Sequence, residues 1–273
     1  MKKVIMLTFI IMLVFSSACV NASKTPGILD TTAETNSLDK YLLVDLPQIQ
    51  KENQRLYYVE WGKLTEESYG DSVLILSDSQ YSDIVQSNVY MVADIGGSFF
   101  MHELGTFDKM VLQAGNLALA DIDGDGVDEI IVHFEVSGNG GTITRIYKVI
   151  NGSIILFSDL DEFDTGFTSE YENDFKLLIS NKYTEFTKLL DISGLFIPDA
   201  FDENGRAVLD DNIYTDPFLS CEVKYSDQDG KYHLYCTQAV TLEGGYIGEA
   251  YTVLRYNPDI SGFEIINSEF IEK

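Results

Sequence analysis

Basic residues are scarce in this chain. Its 273 residues include 18 Lys and Arg against 44 Asp and Glu, a formal net charge of −26. A surface this acidic repels nucleic acid and anionic lipid, which excludes both as partners of the folded domain and favours cations. Histidine is rarer still. His102, His133 and His233 stand alone, with no His-x-x-x-His or His-Glu-x-x-His spacing for a zinc hydrolase. The chain also lacks a Gly-x-Ser-x-Gly elbow and a Gly-x-x-x-x-Gly-Lys-Ser/Thr loop, so neither a serine nucleophile nor a phosphate cradle has local support. Long Ala/Glu/Lys/Leu stretches are missing, which argues against a helical bundle. The longest apolar run, Val4 to Phe15 broken only by Thr8, falls short of the roughly 20 residues that span a bilayer.

That run belongs to an address. Met1-Lys2-Lys3 is a basic start, the apolar stretch follows, and Ser16-Ser17-Ala18-Cys19 supplies small residues for cleavage. Residues 1–18 read as a lipoprotein signal, with Cys19 as the lipidated new N-terminus. The alternative is cleavage after Val20-Asn21-Ala22, giving a leader of residues 1–22 and a freely secreted protein. Residues 19–38 are small and polar and read as a flexible spacer. Residues 39–273 read as a single exported β-repeat domain, held at the outer face of the membrane by its lipid alone in the lipoprotein reading and secreted in the alternative.

What the domain does contain is β-forming: 16 Tyr, 16 Phe and 21 Gly, among frequent Val, Ile and Thr. From Tyr41 onward short β-type runs alternate with turn clusters. Strands are expected at Leu56–Trp61, Ser72–Leu76, Val89–Val92, Phe99–Leu104, Leu117–Ala120, Glu129–Val136, Thr142–Val149, Ile154–Ser158, Phe175–Ser180, Phe186–Leu190, Ser220–Tyr225, Tyr232–Val240, Ala250–Tyr256 and Phe263–Ile266. Short helices are expected at Leu43–Asn53 and Tyr81–Ser87. The chain also repeats. Sliding residues 121–152 onto 225–256 without gaps matches nine positions, among them Asp123 with Asp227, Asp125 with Asp229, Gly126 with Gly230 and Val136 with Val240. Chance would give about two. The shared unit is acidic turn, strand, Gly-Gly turn, strand, turn, strand. Weaker groups begin near Ser72 and Phe175, and spacings of roughly 45 to 60 residues match the period of propeller blades, whose apolar faces only a neighbouring sheet can cover.

One segment carries chemistry: Asp121-Ile-Asp123-Gly-Asp125-Gly126-Val127-Asp128-Glu129. Carboxylates at positions 1, 3 and 5 converge when the backbone curls, and Gly126 at position 6 permits the curl. The Val127 carbonyl and the Glu129 carboxylate can close a shell of oxygens. A hard cation with six to eight oxygen ligands suits this set, and Ca2+ suits it better than Mg2+, which demands a tighter octahedron. The loop is not an EF-hand, since position 12 is Val132 and the flanks are β-like. The copy at Tyr225–His233 keeps Asp227, Asp229 and Gly230 but has lost positions 1 and 9, and Asp202–Gly205 is a plain turn.

The stretch Asp121–Val132, DIDGDGVDEIIV, resembles the calcium-binding core of FG-GAP/VCBS repeats, the blade units of integrin-like propellers. The wider span from Leu117 to Ile266 resembles VCBS repeat-containing exported proteins of Gram-positive bacteria. The resemblance implies an all-β fold of repeated antiparallel sheets, as a small or incomplete propeller, an open stack or a sandwich. It also implies a calcium-stiffened binding module at the cell surface.

Folding the hairpin about Gln228-Asp229 places Cys221 opposite Cys236, Val223 opposite Leu234 and Tyr225 opposite Tyr232 on one face. Outside the cell such a cysteine pair forms a disulfide or stays as two buried thiols. No residue is singled out by its motif for a catalytic role. The leading functional expectation is a non-enzymatic adhesion-type module with an extracellular protein or glycan ligand. The alternatives are an extracellular carboxylate-dependent hydrolase of polysaccharide or peptide, and a structural subunit of an envelope complex.

Overall fold

The computed structural model describes residues 54–67, 70–78, 86–107, 110–111, 117–136, 141–195, 200–208, 214–242 and 245–273. The leader, Cys19, the spacer and the helix expected at Leu43–Asn53 lie outside the described residues. So do residues 81–85 of the second expected helix, whose last two residues, Gln86 and Ser87, belong to a strand instead.

All regular structure among the described residues is β, in four antiparallel sheets, none of them closed. Sheet I is a meander of β1 (Arg55–Gly62), β2 (Asp71–Ser77), β3 (Gln86–Ile95) and β4 (Ser98–Phe107). Sheet II contains β5 (Met110–Val111), β6 (Leu117–Ala120), β7 (Glu129–Val136), β8 (Gly141–Ile150) and β9 (Ser153–Asp159). Both β5 and β6 pair with β7. Sheet III is β10 (Phe167–Glu172), β11 (Lys176–Asn181) and β12 (Thr187–Asp191). Sheet IV is the longest, with β13 (Tyr214–Ser226), β14 (Lys231–Leu242), β15 (Gly245–Asn257) and β16 (Gly262–Glu272). Two strands escape the hydrophobic pattern. The two-residue β5 is too short to show a period, and in β10, Phe-Thr-Ser-Glu-Tyr-Glu, only Tyr171 is buried.

Apolar faces hold the sheets together. Val73, Ile75, Met91 and Ala93 of sheet I pack on Leu117, Ile130, Val132 and Tyr147 of sheet II. Successive residues of a strand point to opposite faces, so Ile131 lies on the other face of β7. With Ile146 it meets Phe218, Leu234, Cys236 and Leu254 of sheet IV. Further along the same face of β14, Val240 and Leu242 meet Leu177, Ile179 and Leu190 of sheet III. Sheet II is therefore covered on both faces, and one face of sheet IV spans two neighbours. The packing order is I, II, IV, III, which differs from chain order.

The internal repeat is visible as strand, acidic turn, strand, turn, strand, turn, strand in both sheet II and sheet IV. The ungapped match does not survive in the pairing. Tyr147 pairs with Ile130, whereas Tyr251 pairs with Thr237, three residues from the position that the slide predicts. The cause is local: β14 and β15 pair out to Leu242 and Gly245, and a bulge between Val240 and Thr241 adds a residue on the β15 side. Register in the hairpin follows expectation, with Cys221 opposite Cys236, Val223 opposite Leu234 and Tyr225 opposite Tyr232. Both cysteines are buried thiols, Sγ to Sγ 3.2 Å.

Candidate metal centre

The loop from Asp121 to Asp128 joins β6 to β7, which pair with each other antiparallel. It is pinned at two apolar points, since the side chains of Ile122 and Val127 are buried. Gly124 and Gly126 have φ of 82° and 85°, a region that side chains with a Cβ rarely enter. These two positions let the chain curl.

The curl is held by the acidic side chains themselves. Asp121 accepts from the N–H of Gly124 (2.8 Å) and of Gly126 (3.0 Å). Asp123 Oδ1 accepts from the N–H of Asp125 at 3.1 Å, and Asp125 Oδ1 from the N–H of Val127 at 2.9 Å. Glu129 Oε2 accepts from the N–H of Ile122 at 2.7 Å and of Asp123 at 3.2 Å. Asp123, Asp125 and Glu129 thus each use one oxygen to shape the loop. Their second oxygens share a single neighbour, the Lys148 ammonium of β8. Nζ lies 2.5 Å from Asp123 Oδ2, 2.7 Å from Asp125 Oδ2 and 2.9 Å from Glu129 Oε1.

Burial is graded across the cluster. Glu129 is 0 % exposed, while the Asp125 side chain is 47 % exposed. Burial pushes the Glu129 carboxyl up to about 7, against the pull of Lys148. Lys148 moves the opposite way from what its own burial would cause, because three carboxylates hold its proton. One oxygen each from Asp121, Asp123 and Glu129 falls within 4.8 Å of the others, the one acidic group among the described residues with the closeness a metal ion needs. Val127 stands where expected, at the seventh position of the loop, with its N–H bound to Asp125. The residue missed by sequence reasoning is Lys148. It sits opposite Glu129, one step past the Ile130–Tyr147 pair. Only the β7–β8 register reveals that neighbourhood.

The same device appears in sheet IV. One step past the Leu234–Leu254 pair, Arg255 lies opposite His233, and its Nη1 is 3.4 Å from Asp229 Oδ2. The ungapped slide aligns Arg255 with Asn151, whereas the pairing aligns it with Lys148. In this copy His233 Nε2 also meets Asp229 Oδ2, at 3.0 Å, and Arg255 is held mainly by Glu264 at 2.6 Å. The cation persists where the carboxylate set does not. Asp202 behaves as a plain turn residue, its Oδ1 accepting from the N–H groups of Asn204 and Arg206.

Sheet I clamps the loop from outside. Lys63 and Asp128 exchange hydrogen bonds, Lys63 N–H to Asp128 Oδ2 and Asp128 N–H to Lys63 O, both 2.7 Å, and Lys63 Nζ donates to the Gly126 carbonyl at 2.7 Å. Gly62 makes this approach possible, because a Cβ there would lie 2.6 Å from Asp128 Oδ2 and 2.8 Å from Leu119 Cδ1. Gly62→Ala is expected to push the loop off β1 and to destabilise the protein by about 1–3 kcal/mol, the usual scale of overpacking. Thermal melting checks this. An unchanged melting temperature would mean that the clamp yields freely.

No protein-family model matches the chain, and no curated protein matches it.

Proposed function

We propose that the Asp121–Glu129 loop binds Ca2+ and that the protein is an exported, lipid-anchored, non-enzymatic binding module of the cell surface. One observation carries the metal reading. Three carboxylates each hold the loop with one oxygen and turn the other toward a common point that already attracts a cation. Asp121, Asp123, Asp125 and Glu129 would supply side-chain oxygens, with the Val127 carbonyl from the backbone. The likeness of this loop to the FG-GAP/VCBS core supports the same choice of ion. Export rests on the leader and on Cys19 as the lipid attachment site. The binding role is supported by Trp61, the chain's one tryptophan, which is 69 % exposed on β1 immediately before the clamp at Gly62 and Lys63. Exposed tryptophan is a residue type enriched at binding hot spots. The ligand class is an extracellular protein or glycan.

The test is thermal. An ion that binds only the folded state stabilises it by mass action, about 2.7 kcal/mol at a hundred times its Kd. Millimolar calcium is therefore expected to raise the melting temperature over that in EDTA, and the Asp123→Ala, Asp125→Ala double variant is expected to lose the response. Identical wild-type melts in calcium and in EDTA would end the calcium reading.

A further inference from the structure

We infer that Lys148 is a built-in competitor at the loop, so that a divalent ion enters by displacing its ammonium from the carboxylate cage. This rests on the calcium reading above and concerns how that site is controlled. The Lys148 ammonium has three N–H donors, and Nζ lies 2.5, 2.7 and 2.9 Å from oxygens of Asp123, Asp125 and Glu129. A calcium ion needs oxygens at about 2.3–2.6 Å and would draw on those same three. Ion and ammonium therefore exclude each other.

The ammonium satisfies the cage incompletely. Glu129 is fully buried, and its Oε1, the oxygen aimed into the cage, accepts no hydrogen bond. Nζ reaches it at ion-pair distance but outside hydrogen-bond alignment. A tetrahedral donor set cannot align with oxygens arriving from arbitrary directions, whereas a spherical ion has no such preference. The buried oxygen has a charge partner in the lysine but no aligned donor, which leaves it open to an ion. The second repeat supplies the contrast. Its loop has lost positions 1 and 9, and the cation at the register position of Lys148 is Arg255, which Glu264 holds through Nε and Nη2 at 3.0 and 2.6 Å. That cation is anchored mainly by β16 and touches its own loop only through Asp229, at 3.4 Å. Lys148 is anchored by its loop, with the Phe157 ring 5.4 Å from Nζ as its other neighbour.

Two measurements on the full-length chain test this. Calorimetric titration with calcium chloride compares wild type with Lys148→Met, which keeps the apolar stem and removes the charge. The variant is expected to bind calcium on the order of tenfold more tightly. Equal or weaker binding by the variant, with wild type binding, overturns the competition and leaves the calcium reading intact. No binding by either protein ends both. The second measurement needs no variant. Wild type is acylated with an amine-reactive ester, with calcium and with EDTA, and Lys148 modification is scored by mass spectrometry against the exposed Lys224. Calcium is expected to raise the Lys148-to-Lys224 ratio several-fold as the ammonium is released. An unchanged or lower ratio, in protein that calcium stabilises, overturns the displacement.

Discussion

Glu129→Ala is expected to destabilise the metal-free protein by about 2–4 kcal/mol, and Glu129→Gln by less, about 1–2 kcal/mol. Two effects oppose each other at this residue. Deleting the carboxylate removes a charge that burial disfavours, as its pKa of about 7 records, and it relieves repulsion from Asp123. Against that, alanine strips the acceptor from the N–H groups of Ile122 and Asp123 and takes one of three carboxylates from the buried Lys148. Each buried donor left without a partner costs about 1–3 kcal/mol, so the loss outweighs the relief. Glutamine separates the terms. Its carbonyl can still accept from both backbone donors, while the charge is gone and the amide NH2 faces the Lys148 ammonium donor to donor, which accounts for the remaining loss. Urea unfolding in EDTA measures the pair, and calcium added afterwards should stabilise neither variant as it does wild type. If alanine and glutamine prove equally mild, the loop does not depend on Glu129 for its shape.

Much of this architecture was legible because strands covered on one or both faces leave a record in the order of apolar residues. Leu117–Ala120 and Glu129–Val136 appear with the bounds that alternation and turn residues suggest. The acidic loop was legible too, since Asp and Gly at fixed spacing encode a curl whatever surrounds it. The rest depended on register. Lys148 looks like any polar residue of a half-buried strand, and its meeting with Glu129 follows only from how β7 and β8 align. The likeness of Arg255 to Lys148 was hidden by the tighter β14–β15 turn together with the bulge at Val240–Thr241, which between them shift every later pair in the hairpin. The order of sheet packing was invisible for a related reason. Strand faces reveal that they are covered, but not by which sheet. Val240 and Leu234 share one face of β14 with the same spacing, yet they meet different sheets.

That shared face makes Leu234→Ala the most informative core substitution. Leu234 is 0 % exposed and lies among Ile131 and Ile146 of sheet II and Cys236 and Leu254 of sheet IV, with Ile122 of the acidic loop in the same cluster. Truncating a buried leucine costs about 2–5 kcal/mol, the spread depending on how far the surroundings close over the cavity. Two covalently tethered sheets meeting face to face have little room to relax, which places the expected loss in the upper half of that range. For a domain of this size each kcal/mol moves the melting temperature by about 2–4 °C, so a fall of roughly 7–20 °C is expected. Leu189→Ala, in β12 and 52 % exposed, is the matched control and should stay within about 0.5 kcal/mol of wild type. Trp61 adds a second reading. It belongs to sheet I, which meets sheet II on the face opposite the cavity, so its fluorescence reports a distant part of the stack. If the sheets unfold as one cooperative unit, the Trp61 transition moves down together with the circular dichroism of the whole. If the fluorescence midpoint stays at its wild-type value while the dichroism shifts, sheet I unfolds independently, and the acidic loop is clamped between units that can separate.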